Sequence, residues 1–372
     1  MKFANFRAAL TLSLAFAISP LVQAAETPVL HILNWAGFID PAVIQEFEKA
    51  ENVRVEYAPF TNVDEFSTQL FDQRNQFDLV FPPTRMVNIL SASGYLAVVD
   101  RDRLPDTGDI RAHIINDYYQ QDDGALNAVP YMWGTTGLGV NTRRLAELGL
   151  KDKQDSWALL FDPVVRKKAA QCGIGLLNER DELFAAALLY LGYSANTLNH
   201  NQLNEAGNLL KDALQDISYL HTAQFRKDLV DGKLCVAVGY SGDLLSGFAR
   251  AHDLAYFVPR EGAAIRMVGM GIPANARQPE LAYRFMAFLM RPEIAARNSV
   301  ALHSPSVMAS ADGFVSPDIL ANPAIYPDSN ALHQMETLSP RDRKTNRYVH
   351  RLWVDALCSG RSWCAVPMSS EF

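Results

Sequence analysis

The chain predicts an α/β protein of two lobes built on mainly parallel sheets, joined by a hinge of two crossover strands with a ligand cleft between them. Strand-like and helix-like segments alternate almost throughout, which implies sheets covered on both faces. The alternation is interrupted in Asn127–Asn141 (NAVPYMWGTTGLGVN) and restarts beyond it. There an apolar, aromatic run from Val129 to Trp133 stops at Gly134 and resumes through Gly137 and Gly139 to Val140. Glycines inside strand patterns mark bends or close approaches of a ligand or another backbone, so this segment reads as strand, break, strand at a hinge. About 348 residues remain after an N-terminal leader, which suits two domains of ordinary size.

Residues 1–24 read as a secretory leader. Lys2 and Arg7 make a positive start, Ala8–Ile18 is an apolar core, and Val22-Gln23-Ala24 is a small-residue cleavage site. That core is shorter than the roughly 20 apolar residues of a membrane span, and no later stretch reaches that length. No cysteine follows the cleavage site, so an exported chain without lipid anchor or membrane insertion is expected.

Leu30–Trp35 (LHILNW) reads as a buried strand. Asp40-Pro41 supplies an N-cap and first-turn proline for a helix with Val43, Ile44 and Phe47 on its apolar face. Val53–Tyr57 alternates as a strand, Phe66, Leu70 and Phe71 mark a helix, and Phe77–Phe81 is a short buried strand ended by Pro82-Pro83. The helix after it closes at Gly94. Beyond the glycine-rich segment, Arg144–Leu148 is helical up to Gly149, and Asp155-Ser156 caps the next helix. Ile174–Leu177 is strand-like, and Asp181–Leu191 is a helix ended by Gly192. Leu234–Tyr240 is a strand, Gly242–Arg250 a helix, Met267–Ile272 a strand leaving the second unit, and Glu280–Leu289 an amphipathic helix. The expected lobes interleave: 25–137 with 266–325 form lobe one, 138–265 lobe two, and 326–372 a C-terminal segment packing on both.

Without Lys2 and Arg7 the chain holds 32 of its 34 Lys+Arg against 41 Asp+Glu, a formal charge of −9. That disfavours nucleic acid and anionic membrane as partners and mildly favours cationic ligands. Four cysteines in an exported chain suggest disulfides. Three pairings exist, and Cys172–Cys235 with Cys358–Cys364 is favoured. Cys172 and Cys235 each adjoin a strand-like run, and their loop is worth roughly 4 kcal/mol against roughly 2 for the short CSGRSWC loop. The rival, metal-bound thiols, lacks any C-x-x-C spacing. There is no phosphate loop, Gly269-Met270-Gly271 lacks the third glycine of a dinucleotide motif, and Gly239–Gly242 lacks nucleophile-elbow spacing. The eight histidines form no H-x-x-x-H pair. No cofactor, metal site or catalysis is expected.

The segments LHILNW, FDLVFPPT, VPYMWGTTGLGVN, CGIGLL with DELF, LCVAVGYSGD, GIPANA and NPAIYP together carry a resemblance. From about Leu30 to Tyr326 the chain resembles the periplasmic polyamine-binding proteins of ABC importers, the putrescine and spermidine receptors. The resemblance implies a type II periplasmic-binding-protein fold that closes on its ligand, a periplasmic location, a monomer, and a membrane permease as partner. It implies an amine held by carboxylates between aromatic walls, where a cation over a ring face gains about 0.5–2 kcal/mol. On this chain the implied contacts are Trp35, Phe38 (usually tyrosine in the family), Glu182, Tyr240, Asp243 and Tyr326.

The departures bear on specificity. The family's second amine-binding aspartate aligns with Val268, the residue two before it becomes Arg266, and Pro83, Arg85 and Gly37 replace polar or aromatic residues. Two outcomes follow. In one, Glu179 or another acid neutralises the arginines and the ligand stays a polyamine. In the other, Asp243 holds an amine while Arg266 or Arg85 forks a carboxylate, which suits an ω-amino acid or an acylated polyamine. The second is slightly favoured by these residues. Ligand-sensing in signalling, and a non-binding relative, are the alternatives from other classes. The residues after Arg351 run beyond the family's usual ending.

Overall fold

The computed structural model describes residues 27–72, 76–105, 107–111, 126–248 and 251–359. The expected leader and Cys364 lie outside them. Ten strands are β1 Val29–Trp35, β2 Arg54–Phe60, β3 Leu79–Val80, β4 Ala128–Asn141, β5 Ile174–Leu176, β6 Tyr219–Leu220, β7 Val236–Tyr240, β8 Leu254–Phe257, β9 Ala264–Gly271 and β10 Glu336–Thr337.

They run in the order β2-β1-β3-β9-β4-β7-β5-β6, with β10 on β9 and β8 on β4. Two sheets meet in β4. Ala128–Thr135 pairs antiparallel with β9, and Thr136–Asn141 pairs antiparallel with β7 and β8. The outer pairs β1–β2, β1–β3, β5–β7 and β5–β6 are parallel. The sheets are therefore mixed: parallel outside, antiparallel where the chain passes between them. The two passages are β4 itself and the segment between β8 and β9.

The expected break in β4 is absent. The strand is continuous over fourteen residues, and its glycines serve close approach. A Cβ at Gly137 would lie 2.5 Å from the Phe257 carbonyl oxygen and the Tyr256 hydroxyl, and one at Gly134 would lie 2.9 Å from Ser241 Oγ.

Local signals explain most elements. The Asp40 carboxylate accepts the Ala42 N–H at 2.9 Å and Pro41 opens the helix Pro41–Glu51. That helix buries Phe47 edge-on against Phe285, ring centroids 4.7 Å apart. Gly94, Gly149 and Gly192 each take φ of 70–77° after helix ends. Of the three residues read as marking the helix Val63–Phe71, Phe66 and Leu70 are buried and Phe71 is 57% exposed. The Asp155-Ser156 cap is divided differently. Ser156 Oγ accepts the Ala158 N–H, the Glu261 carboxylate accepts the Trp157 N–H, and Asp155 pairs with Arg260.

Two hydrophobic clusters sit on the two sheets. One joins β1–β3, the first part of β4 and β9 to the helix Pro279–Leu289. The other joins the rest of β4 with β5 and β7 to the helices Arg180–Tyr190 and His200–Ala213. The last helix, Arg343–Cys358, places Val349, Trp353 and Ala356 in the second cluster, so the residues after Arg351 begin as ordinary helix. The disulfide Cys172–Cys235 is present, Cα atoms 5.5 Å apart. Cys358 ends the last helix, and its expected partner lies outside the described residues.

Candidate ligand-binding site

A cavity of 470 Å³ lies where the ends of β1 and β7 and the loop after β5 face one another across the β4 and β9 passages. Loops at carboxyl ends of parallel strands are the usual ligand position in such sheets. Trp35 closes β1, and Phe38 follows in its loop. Tyr240 closes β7, and Asp243 sits in the first turn of the helix Ser241–Phe248. Glu179 stands at the N-cap of the helix Arg180–Tyr190 and Glu182 in its first turn. Arg266 lies on β9 opposite Gly134.

Of the expected contacts, Trp35, Phe38, Glu179, Tyr240, Asp243 and Arg266 line this cavity. So do Phe60, Met132, Trp133, Phe225 and Arg226, which sequence reasoning did not single out. Trp133 had a signal, its place in the glycine-rich motif. Arg226 had none, because the helix Gln224–Val230 that carries it has too few apolar positions to read. Val268, aligned with the missing aspartate, lines the cavity at 7% exposed.

Arg266 organises the charges. Its Nη1 donates to the Tyr240 hydroxyl and, at 3.4 Å, to Glu182 Oε1. The guanidinium carbon lies 4.2 Å from the Tyr240 ring centroid and 5.7 Å from that of Trp35. Burial alone would lower the Arg266 pKa, but Tyr240, Glu182 and Glu179 outweigh it and raise it. Glu182, only 5% exposed, takes a second bond from Thr136 Oγ1 at 2.7 Å. Burial nevertheless pushes its carboxyl up, with Arg266 and Thr136 opposing. Glu179 is pushed up by burial against the pull of Arg266. Asp243 is exposed on the cavity side, yet the protein around it displaces enough water to raise its carboxyl despite Arg226 and Arg266. Neither Glu179 nor Asp243 has a side-chain hydrogen bond or ion pair among the described residues.

Arg85 does not reach this cavity. It lines a smaller one of 210 Å³ that shares Glu179 and Arg266 with the first and includes Glu182, an expected contact that does not line the larger cavity. There it meets Asp181 at 3.4 Å, a carboxylate already paired with Arg180 and Arg341, both at 3.0 Å. Burial works to raise Asp181, and the three arginines overcome it, leaving the pKa low. Tyr326 lines neither cavity. Its hydroxyl shares a hydrogen bond of 2.9 Å with Ser299, and Arg111 sits 5.8 Å over its ring.

Among the described residues no cluster of His, Cys, Asp and Glu could hold a metal ion, and no helix is long and apolar enough to cross a membrane. The family model for bacterial extracellular solute-binding proteins matches residues 42–327. The putrescine-binding periplasmic protein SpuD of Pseudomonas aeruginosa is 32% identical, covering 93% of this chain and 96% of its own. The putrescine-binding periplasmic protein PotF of Escherichia coli K12 is 31% identical over 91% and 94%. Among solved structures, the spermidine/putrescine ABC transporter substrate-binding protein PotD of Streptococcus pneumoniae has a TM-score of 0.78 at 22% identity, covering 89% of this chain and 99% of its own. That likeness carries the type II binding-protein fold. A family match over most of the length, with relatives above 30% identity from end to end, makes this chain a member of the bacterial extracellular solute-binding proteins, working in the periplasm.

Proposed function

We propose that this protein captures a small cationic amine of the putrescine and spermidine type in the 470 Å³ cavity and delivers it to an ABC permease, without catalysis and as a monomer. One observation carries the reading: Glu179 and Asp243 line an aromatic-walled cavity with no side-chain hydrogen bond or ion pair among the described residues, while the nearby arginines Arg266 and Arg85 are already engaged by Glu182 and Asp181. Unpaired carboxylates in a cavity attract a cation, and charge-assisted hydrogen bonds are the stronger kind. Phe38, Phe60 and Phe225 supply wall rings beside Trp35 and Tyr240, which face Arg266. The sheets act as the two lobes, closing about β4 and the β8–β9 link. The names of SpuD and PotF give putrescine as their ligand, and that of PotD gives spermidine/putrescine and an ABC transporter.

A ligand with an amine at one end and a carboxylate at the other is the second reading, because Arg226 lines the wall with no ion pair among the described residues. Its original support is weakened, since Arg266 and Arg85 already have carboxylate partners in Glu182 and Asp181.

The test is titration calorimetry on mature protein, refolded to strip carried-over ligand, with putrescine, spermidine and 5-aminovalerate. Binding of an amine is expected, and Asp243→Asn should weaken it at least about tenfold, or about 1.4 kcal/mol. Silence toward every amine overturns the proposal, and binding of 5-aminovalerate alone moves it to the second reading.

A further inference from the structure

Arg266 stands where a ligand cation would. Its guanidinium faces the Tyr240 ring at 4.2 Å and the Trp35 ring at 5.7 Å, and it takes one oxygen of Glu182, whose other oxygen is held by Thr136. Aromatic faces plus a carboxylate are the elements of an amine box, and here the protein's own side chain fills it. A ligand ammonium brought to the same place would meet like charge at contact range with no free carboxylate oxygen of Glu182 to offset it. The residue two further along β9, Val268, adds an apolar wall, 7% exposed, in place of a second acid. Glu179 lies within the field of Arg266 and helps to balance its charge, and Asp243, on the helix Ser241–Phe248, is the carboxylate on the other side of the cavity for an incoming amine.

The far end of the ligand is constrained as well. Among the described residues the side-chain hydrogen bonds of Arg266 leave from Nη1, so Nε and Nη2 keep donors for an acceptor atom. Because Glu182 already balances the guanidinium, that acceptor need carry no charge.

We propose that Arg266 is a resident cation occupying one of two amine subsites, so that the cavity selects amines with a single positive charge and a neutral acceptor, such as an amide carbonyl, at the other end. A diamine acylated on one nitrogen has that chemistry. The inference rests on the amine-capture reading and narrows its ligand class.

The experiment is a calorimetric comparison of putrescine, N-acetylputrescine and 5-aminovalerate on stripped protein and on Arg266→Met, with Arg266→Gln in reserve and a thermal melt to verify folding. The native protein should bind N-acetylputrescine at least about tenfold tighter than either competitor, and Arg266→Met should reverse the preference toward putrescine. Equal or tighter binding of putrescine by the native protein overturns the inference and leaves amine capture standing. Preference for 5-aminovalerate overturns it in favour of a charged acceptor. An unchanged preference in both variants removes Arg266 as its cause. Absence of binding to all three defeats amine capture itself.

Discussion

At Glu182 both carboxylate oxygens are engaged, whereas Glu179 and Asp243 keep theirs for a ligand. All three carboxyls are pushed above their ordinary range, chiefly by burial. A raised folded pKa means that the unfolded chain releases its proton first. The stability these groups contribute is therefore full below the unfolded range near 4 and is lost as pH rises through the raised values. Amine capture has the opposite sign, because it needs the ionised form. The gain in melting temperature on adding saturating amine should shrink as pH falls from neutrality into the acid range in which these raised carboxyls take up protons. Thermal melts with and without ligand at matched ionic strength measure this, and a pH-independent gain would count against Glu179 and Asp243 as contacts. At this scale legibility follows sequence neighbourhood. Trp35, Tyr240 and Asp243 sit in recognisable segments at strand ends. The engagement of Arg85 and the position of Tyr326 depend on Asp181 and Ser299, partners fixed only by the tertiary fold.

Among the elements, β4 departs most from its sequence reading, since the glycines that suggest a break permit one unbroken strand. Gly137 is the tightest: an added Cβ would meet backbone at the Phe257 carbonyl as well as the Tyr256 ring, and backbone cannot step aside. Gly137→Ala should cost about 1–3 kcal/mol. Gly139→Ala should cost less, because its Cβ would meet the methyl ends of Leu244 and Leu229. Urea unfolding of both variants tests the ranking, and equal losses would mean that the crowding at Gly137 relaxes. Helices with a cap and an unmistakable apolar face, such as Pro41–Glu51, were legible. His200–Ala213 was not, for its buried face includes Ala206 and Gly207 among polar neighbours. β6, β8 and β10 are two to four residues long, too short for any periodicity to show.

For the whole molecule, the alternation of strands and helices made the α/β class and the passage at β4 legible, but not the direction of pairing around β9. The disulfide Cys172–Cys235 ties the turn before β5 to the start of β7 across a separation of 63 residues. Chain entropy assigns such a closure about 4 kcal/mol. Replacing both cysteines by serine should lower the unfolding free energy by about 2–4 kcal/mol, with amide exchange rising chiefly in the second sheet. A loss under about 1 kcal/mol, or exchange rising equally in both sheets, would show that the bridge does not anchor that sheet.

The route of β4 and β9 also sets an order of assembly. The second sheet is made from one unbroken stretch, Thr136 to Phe257, apart from the helix that returns to it at the end. The first sheet has β1 at its start but lacks β9, which joins β3 to β4, until residue 271. A chain emerging amino end first on the far side of a membrane thus presents its earliest strands unfinished. They must wait, edge exposed, while the later half of the molecule has everything its sheet requires.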